Sequence, residues 1–509
     1  MGQIARNKKN IEEEKIPCIC LSEELTKKAG LPSQEKKYAI AGVPTMFLHK
    51  EFEKSPKNLA FRRLCGKMPA CSILLSSHWN IKFMSVIFIK GGRVVDPSQN
   101  LDKVVNIRIA NGKIEEIGVS VLPKPNDPVL NAQGKIVAPG LIDMHVHLRE
   151  PGREEDETIE TGTLAALHGG FTSVVCCPNT EPPLDSPGTL ELVRQLANRA
   201  GNSNVYAMCC ISKNREGKEL AELGMLFQAG AVACSDDGSP VTDPELMRRA
   251  LEYCLMFDKP ALNHAESLPL TQGGVMHEGK VSMLLGLRGM PAAAEDVMVA
   301  RDIALAELTG GRLHVMHLST EHSVQTVRRA KERGVRVTAE VTPHHLTLTD
   351  EKLHSFNSNY KMNPPLRSQR HVEACLEGLR DGTIDVIATD HAPHALEKKM
   401  QEIDRAPFGI VGLETAVAAL TTQLIHQGIL TWTQLIEKTT LNPAKILGLP
   451  KGTLAVGADA DITIIDPNRK WTVAESELHS KSKNSPYLGE ELTGRVTAVI
   501  LGGKLRYEK

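Results

Sequence analysis

The run Asp143-Met144-His145-Val146-His147-Leu148-Arg149 places two imidazoles two residues apart in an otherwise apolar stretch. Side chains alternate faces along a strand, so His145 and His147 point the same way, and at a strand end both can reach one metal ion. A lone His-x-His is a weak signal. Here Pro139-Gly140-Leu141-Ile142 leads in and Glu150-Pro151-Gly152 turns the chain away, which sharpens it. Other metal-competent side chains close later apolar runs. Asp236-Asp237-Gly238 follows Ala231–Ser235, His264 ends Ala261–His264, His317 lies near the end of Leu313–Leu318, and Asp390 follows Ile384–Thr389. Four histidines and two aspartates so placed could hold two divalent ions through nitrogen and oxygen; zinc is the natural choice, and manganese, cobalt or iron suit the same donors. Any one of these histidines could instead be a satisfied core residue, but five strand ends do not coincide easily by accident. His314 falls on the opposite face of its strand from His317 and reads as packing. His344-His345 is ambiguous, and His322 reads as an ordinary helix-start residue.

These side chains need a scaffold that gathers strand ends. Between residues 140 and 450, strand-like runs alternate with helix-like ones, the pattern of repeated β-α units and a parallel sheet. Eight strands are expected: Leu141–His147, Ser173–Cys177, Val205–Ile211, Ala231–Ser235, Ala261–His264, Leu313–Leu318, Arg336–Val341 and Ile384–Thr389. Helical patterns are clearest over Pro291–Leu308 and His322–Gly334. Eight such units predict an α/β fold, a (β/α)8 barrel whose C-terminal strand ends form the active face. Short strands broken by glycine occupy 84–139, with Ser85–Gly92 read as a strand ending in a turn, and similar texture returns over 451–509. One small β-domain, of the β-sandwich type, built from both ends of the core chain is the expectation.

Residues 1–83 differ from the rest: 15 Lys+Arg against 8 Asp+Glu, where the whole chain carries a net charge of −1. They lack a sustained period, a signal-peptide core and a myristoylation motif. The expectation is a basic, non-core extension ahead of a natural start at Met84, with a docking arm as the alternative. Cys18-Ile19-Cys20 has no matching second pair and is weak as a metal site. Near-neutral overall charge and the lack of a long apolar run argue against nucleic acid and membrane as partners. The 11 cysteines, without a secretory leader, fit reduced thiols in a cytoplasmic protein. Cys176-Cys177 and Cys209-Cys210 sit in apolar runs and read as small buried hydrophobes.

Residues 84–509 resemble the metal-dependent amidohydrolase superfamily, and closely the bacterial type I dihydroorotases. The resemblance rests on motifs in order: His145-x-His147-x-Arg149-Glu150-Pro151-Gly152, Cys177-Pro178-Asn179-Thr180, Asp236-Asp237-Gly238, Asn363-Pro364-Pro365-Leu366-Arg367, and Thr389-Asp390-His391-Ala392-Pro393-His394. It implies a distorted barrel with a small β-domain from both termini. It further implies that His145, His147 and Asp390 hold a first zinc, that His264 and His317 hold a second, and that Asp237 bridges them. One or two ions per chain are expected, and a binuclear centre is favoured. The implied reaction is reversible ring closure of N-carbamoyl-L-aspartate to L-dihydroorotate, the third step of pyrimidine synthesis. Asp390 is the candidate proton shuttle between the attacking hydroxide and the departing ring nitrogen.

Arg149 suits the substrate carboxylate, because a guanidinium pairs with it bidentately; the competing reading is a structural pair with Glu150 or Glu154. The resemblance also assigns His147, Asn179, Asn363 and His394 to substrate, with Phe408-Gly409 contributing from a polar loop, about 397–409, that fits a lid. Hydantoinases and allantoinases share the chemistry, but relatives of that kind resemble one another in a bridging lysine, and Ala233-Cys234-Ser235-Asp236-Asp237 carries none. A silent scaffold for aspartate carbamoyltransferase is a third reading; such homologues lose ligands, and every expected ligand is present. Association with that transferase and homo-oligomerisation are both compatible with an active enzyme. Removal of residues 1–83 is expected to leave activity intact, with folding and metal content unchanged. Thermal melting and metal analysis of residues 84–509 beside the full chain check this, and loss of either would contradict it.

Overall fold

The computed structural model describes residues 86–509, and every structural statement below refers to them. The expectations for residues 1–83, including the Cys18/Cys20 pair and the start at Met84, lie outside the described residues.

The described residues begin with an antiparallel meander, β1 (Val86–Asp96), β2 (Leu101–Ala110) and β3 (Lys113–Gly118), followed by the short β4 (Val129–Asn131) and β5 (Ile136–Pro139), both parallel to β1. The barrel strands follow as β6 (Leu141–Val146), β7 (Phe171–Cys176), β8 (Asn204–Cys209), β9 (Ala233–Ser235) and β10 (Pro260–Asn263). A small parallel pair, β11 (Met276–His277) and β12 (Gly289–Met290), intervenes. Then come β13 (Arg312–Val315), β14 (Val337–Val341) and β15 (Val386–Ile387), and the C-terminal strands β16 (Ile462–Thr472), β17 (Glu491–Leu501) and β18 (Lys504–Glu508).

Eight strands, β6 to β10 and β13 to β15, pair in parallel in sequence order. A parallel bridge between Val146 and His391 brings the last unit back beside the first. This is the distorted (β/α)8 barrel. Both faces of its strands are buried, which is why they read as nearly unbroken apolar runs. The helices between them are set by local chemistry. Thr158 caps Ile159–Gly169 reciprocally with Thr161, and Gly170 ends that helix at φ 90°. Thr320 caps Glu321–Glu332 by accepting from Ser323 N.

The chain ends build a second, eight-stranded sheet in the order β18-β17-β16-β5-β1-β2-β3, with β4 beside β1. It has its own core of Ile89, Val94, Ile107, Ile109, Val137, Ile462 and Ile464 among others. The turn expected at Gly91-Gly92 is a bulge inside β1: the register slips between Ile89 and Gly92, and Gly91 takes φ 68°. A bulge lets glycine bend a strand without ending it. β5 joins the two ends, pairing in parallel with β1 and antiparallel with β16.

β5 runs through Gly140 directly into β6, the strand carrying His145. A Cβ at Gly140 would lie 2.1 Å from Thr172 Oγ1 and 2.4 Å from its Cγ2. Gly140→Ala is therefore expected to lower unfolding stability by ~1–3 kcal/mol, the usual cost of overpacking. Thr172→Ala in the same background should recover part of the loss; denaturant titration measures both.

Candidate metal centre

Each predicted ligand stands at or just beyond the C-terminal end of a barrel strand. His145 is the penultimate residue of the strand β6 and His147 directly follows it; Asp237 follows β9, His264 follows β10, His317 follows β13 and Asp390 follows β15. All six are buried. Asp237 is their meeting point. One of its oxygens lies 3.5 Å from His145 Nε2 and 3.3 Å from His147 Nε2; the other lies 3.4 Å from His264 Nδ1 and 3.5 Å from His317 Nε2. Asp390 Oδ1 stands 2.9 Å from His147 Nε2 and 3.4 Å from His145 Nε2. The neighbouring Asp236 faces away, accepting from Ile211 N, Ser212 N and the Ser212 hydroxyl. The choice between the two aspartates, open in the sequence, is thereby separated geometrically.

The outer nitrogens of three of the four rings are occupied. His145 Nδ1 donates to Glu340 Oε1 at 2.5 Å, His147 Nδ1 to Asn179 Oδ1 at 2.9 Å, and His264 Nε2 to Glu266 Oε2 at 2.8 Å. With its proton on the outer nitrogen, a neutral ring turns a lone pair inward. Those inward atoms face carboxylate oxygens or one another; His264 Nδ1 and His317 Nε2 are 2.8 Å apart. His145 Nε2 and Asp237 Oδ1 are buried without a hydrogen-bond partner. Lone pairs converging at such distances require positive charge between them. The donor atoms also form compact sets: Asp237, His264 and His317; His145, His317 and Asp390; and His145, His147, Asp237 and Cys177, each within 4.8 Å. The residues present thus fit a divalent cation with nitrogen and oxygen donors.

Electrostatics point the same way. Burial opposes ionisation of Asp237 and Asp390, and positive charge beside them, on His145 foremost when no cation is bound, holds both carboxyls well below the usual carboxylate range. A cation there would supply that charge with the rings neutral. Glu340 and Glu266 are held down to about 2 against their burial, chiefly by His145 and His264 respectively. Sequence reasoning missed both. Glu340 lies in an apolar strand and meets His145 across 195 residues, while also pairing with His314 Nε2 at 3.2 Å and accepting from His317 N at 3.3 Å. His314, read as packing, is thus part of the frame behind the ligands. Glu266 had a legible signal, an acid two residues beyond His264.

The predicted substrate residues border the ligands or one another. Arg149 is 4% exposed and has no carboxylate partner among the described residues. Glu150 instead accepts from Ile159 N and Glu154 from Gly152 N, so neither proposed structural pair forms. Arg149 Nε donates to Pro393 O at 3.1 Å. Its Nη2 is 3.4 Å from His394 Nε2, but that nitrogen donates to Phe408 O at 2.7 Å. The guanidinium fork consequently keeps donors to spare. Burial, then the charge of Arg149, pushes His394 down to about 2, so the ring stays neutral. Asn179 adjoins His147, and Asn363 Nδ2 donates to Glu266 at 2.9 Å.

The segment read as a lid begins inside a short helix, Leu396–Lys399. Two lysines tie the rest down. Lys399 Nζ donates to Pro407 O and Gly409 O at 3.0 and 3.1 Å, and Lys361 Nζ donates to Ile403 O at 2.6 Å while lying over the Phe408 ring. His344 and His345, ambiguous in sequence, are buried in the helix Pro343–Thr347. His345 bridges Thr342 and Pro364 O, whereas His344 Nε2 has no partner. His322 lies at the start of its helix, as read.

The profile of the amidohydrolase family matches residues 136–506. A dihydroorotase of Pelotomaculum thermopropionicum is 54% identical over 419 residues, 82% of this chain and 98% of that protein. One from Syntrophus aciditrophicus is 51% identical over 424 residues, 83% and 99% respectively. Among solved structures, the L-hydantoinase (dihydropyrimidinase) of Arthrobacter aurescens superposes with a TM-score of 0.76 at 25% identity, covering 83% of this chain and 96% of that one. With the metal-ready strand ends in place, and a match spanning most of its length, the chain belongs to the amidohydrolase family.

Proposed function

We infer that this protein is a dihydroorotase, closing N-carbamoyl-L-aspartate to L-dihydroorotate and reopening that ring. The carrying observation is the pairing of a carboxylate-lined, four-histidine centre with a buried arginine whose fork is unspent. Identity of about half to dihydroorotases over nearly their full length supports the same reading.

His145, His147 and Asp390 would hold one zinc, His264 and His317 a second, with Asp237 between them. Bound there, such ions supply Lewis acidity, polarising the ring carbonyl and making water acidic enough to attack at neutral pH. The remaining work falls to the chain. In ring opening, the carbonyl carbon gains a C–O bond and loses its bond to ring nitrogen, and that nitrogen gains a proton. Asp390, ionised and 2.9 Å from His147, takes the proton from the attacking water and returns it to the departing nitrogen. In ring closure the steps reverse and water leaves. Glu340 and Glu266 hold His145 and His264 in the tautomer that faces inward.

Arg149 pairs with the exocyclic carboxylate, assisted by Asn179, Asn363 and the neutral His394. Phe408 and Gly409, held by Lys361 and Lys399, cover the site and limit water. Family resemblance extends the reading to a cytoplasmic setting, an aspartate carbamoyltransferase partner and a homo-oligomer. No helix among the described residues is long and apolar enough to cross a membrane. In the same reading, residues 84–139 and 451–509 form the small β-domain, 140–450 the barrel, and 1–83 a non-core extension.

The hydantoinase neighbours favour a second reading, a cyclic amidase of broader range. Dihydroorotate, hydantoin and allantoin assayed side by side, with metal analysis of the same sample, separate the two. Only dihydroorotate is expected to turn over appreciably, and Arg149→Lys should raise KM more than it lowers kcat; preference for hydantoin would overturn the assignment. Asp390→Ala is expected to cut kcat by ~10²-fold or more, the share of a positioned acid–base group. Near-normal rates in that variant would mean that another group moves the proton.

A further inference from the structure

Cys177 directly follows β7 and is 1% exposed, which makes it look like one more core residue. Its backbone N–H donates to Val146 O at 2.9 Å, fixing it beside β6 between His145 and His147. Met144, Val175, Met208 and Met316 belong to the same apolar cluster. Its sulfur, however, belongs with the metal-ready side: Sγ and one donor atom each of His145, His147 and Asp237 all lie within 4.8 Å of one another. Within that set His145 Nε2 is fully buried and has no hydrogen-bond partner.

We propose that Cys177 is an added sulfur ligand of the ion that His145, His147, Asp390 and Asp237 would hold, which makes that half of the centre a mixed nitrogen, oxygen and sulfur site of expanded coordination. The inference rests on the metal-dependent reading above and adds a donor to it. The reach is short. Zinc bonds of ~2.0–2.1 Å to nitrogen and ~2.3 Å to sulfur hold neighbouring donors roughly 3–3.5 Å apart. His145 and His147 already stand 3.5 and 3.3 Å from Asp237. The sulfur, within 4.8 Å of a donor on each of these residues, would have only a short distance left to close. As the sulfur–metal bond forms, the thiol proton passes to solvent, because a coordinating thiol is held as thiolate. A thiolate donor also tilts selection toward softer ions, so zinc and cobalt gain over manganese relative to a purely nitrogen and oxygen site. Serine keeps the size and polarity of the position and removes the soft donor; alanine removes both.

The full-length protein, stripped of metal, is titrated with Co²⁺, Zn²⁺ and Mn²⁺ as wild type, Cys177→Ser and Cys177→Ala. The wild-type cobalt form is expected to show an intense near-ultraviolet sulfur-to-cobalt charge-transfer band that both variants lack. Zinc affinity should fall ~10-fold or more in the variants, the scale set by lost support around a metal site, while manganese affinity falls less. Proton release on zinc binding should drop by about one per chain. Cobalt bound by the wild type without the band, or a band that survives in the variants, overturns the proposal. So does an unchanged zinc-to-manganese preference. If the wild type binds none of the three ions, the metal reading itself fails. If a variant does not fold, the wild-type cobalt spectrum alone decides.

Discussion

The centre of this molecule is a charge that must be neutralised. Asp237, Asp390, Glu340 and Glu266 are all largely or wholly removed from water, and four imidazoles turn toward or pair with them. Isolated buried carboxylates are costly, and paired ones are tolerated only when every lone pair is met. Glu340 meets this by accepting from His145, His314 and the His317 backbone at once. Asp237 does not: one of its oxygens has no hydrogen-bond partner, although two imidazole nitrogens approach it. A divalent cation resolves both the unmet oxygen and the facing lone pairs. The barrel is what makes the arrangement reachable, since only a closed parallel sheet brings five strand ends to one point.

Much of this was legible because the barrel strands are buried on both faces and end in residues that cannot be apolar filler. His145, His264 and Asp390 stand out against runs of alanine, valine, leucine and isoleucine. Strand ends were less legible. The last barrel strand covers Val386–Ile387, where the apolar run suggests Ile384–Thr389. At its start, the Asp385 carboxylate takes Lys331 Nζ and Ala339 N; at its end, Thr389 N turns to Asp143. Side chains there claim backbone groups that a longer ladder needs, and a one-dimensional pattern carries no sign of that. The Gly91-Gly92 pair misled in the opposite sense, because glycine marks a bulge as readily as a turn.

What the sequence hid was the support behind the ligands. Glu340 sits between Ala339 and Val341 in a strand, and its partner His145 is 195 residues away. No local spacing relates the two. Cys177 hid differently: a thiol in an apolar run has the statistics of a hydrophobe, and only its distance to His145, His147 and Asp237 distinguishes it from Cys176 next door.

Three residues of the site, Arg149, His317 and Asp390, adopt left-handed backbone at φ 62°, 33° and 48°. Each such position costs on the order of 1–3 kcal/mol for a residue with a side chain, so the surroundings must enforce it. They do so through bonds that do not involve the metal. His147 N donates to His391 O at 2.9 Å, Thr389 N is held by the Asp143 carboxylate, and His391 N donates to Thr389 Oγ1 at 3.1 Å. Asp143 is itself fully buried, and burial pushes its carboxyl up to about 6. The turns that aim Arg149 and Asp390 are therefore fastened by the first and last barrel units to each other. A cation bound there would have little backbone left to reorganise, because the chain has already shaped the site.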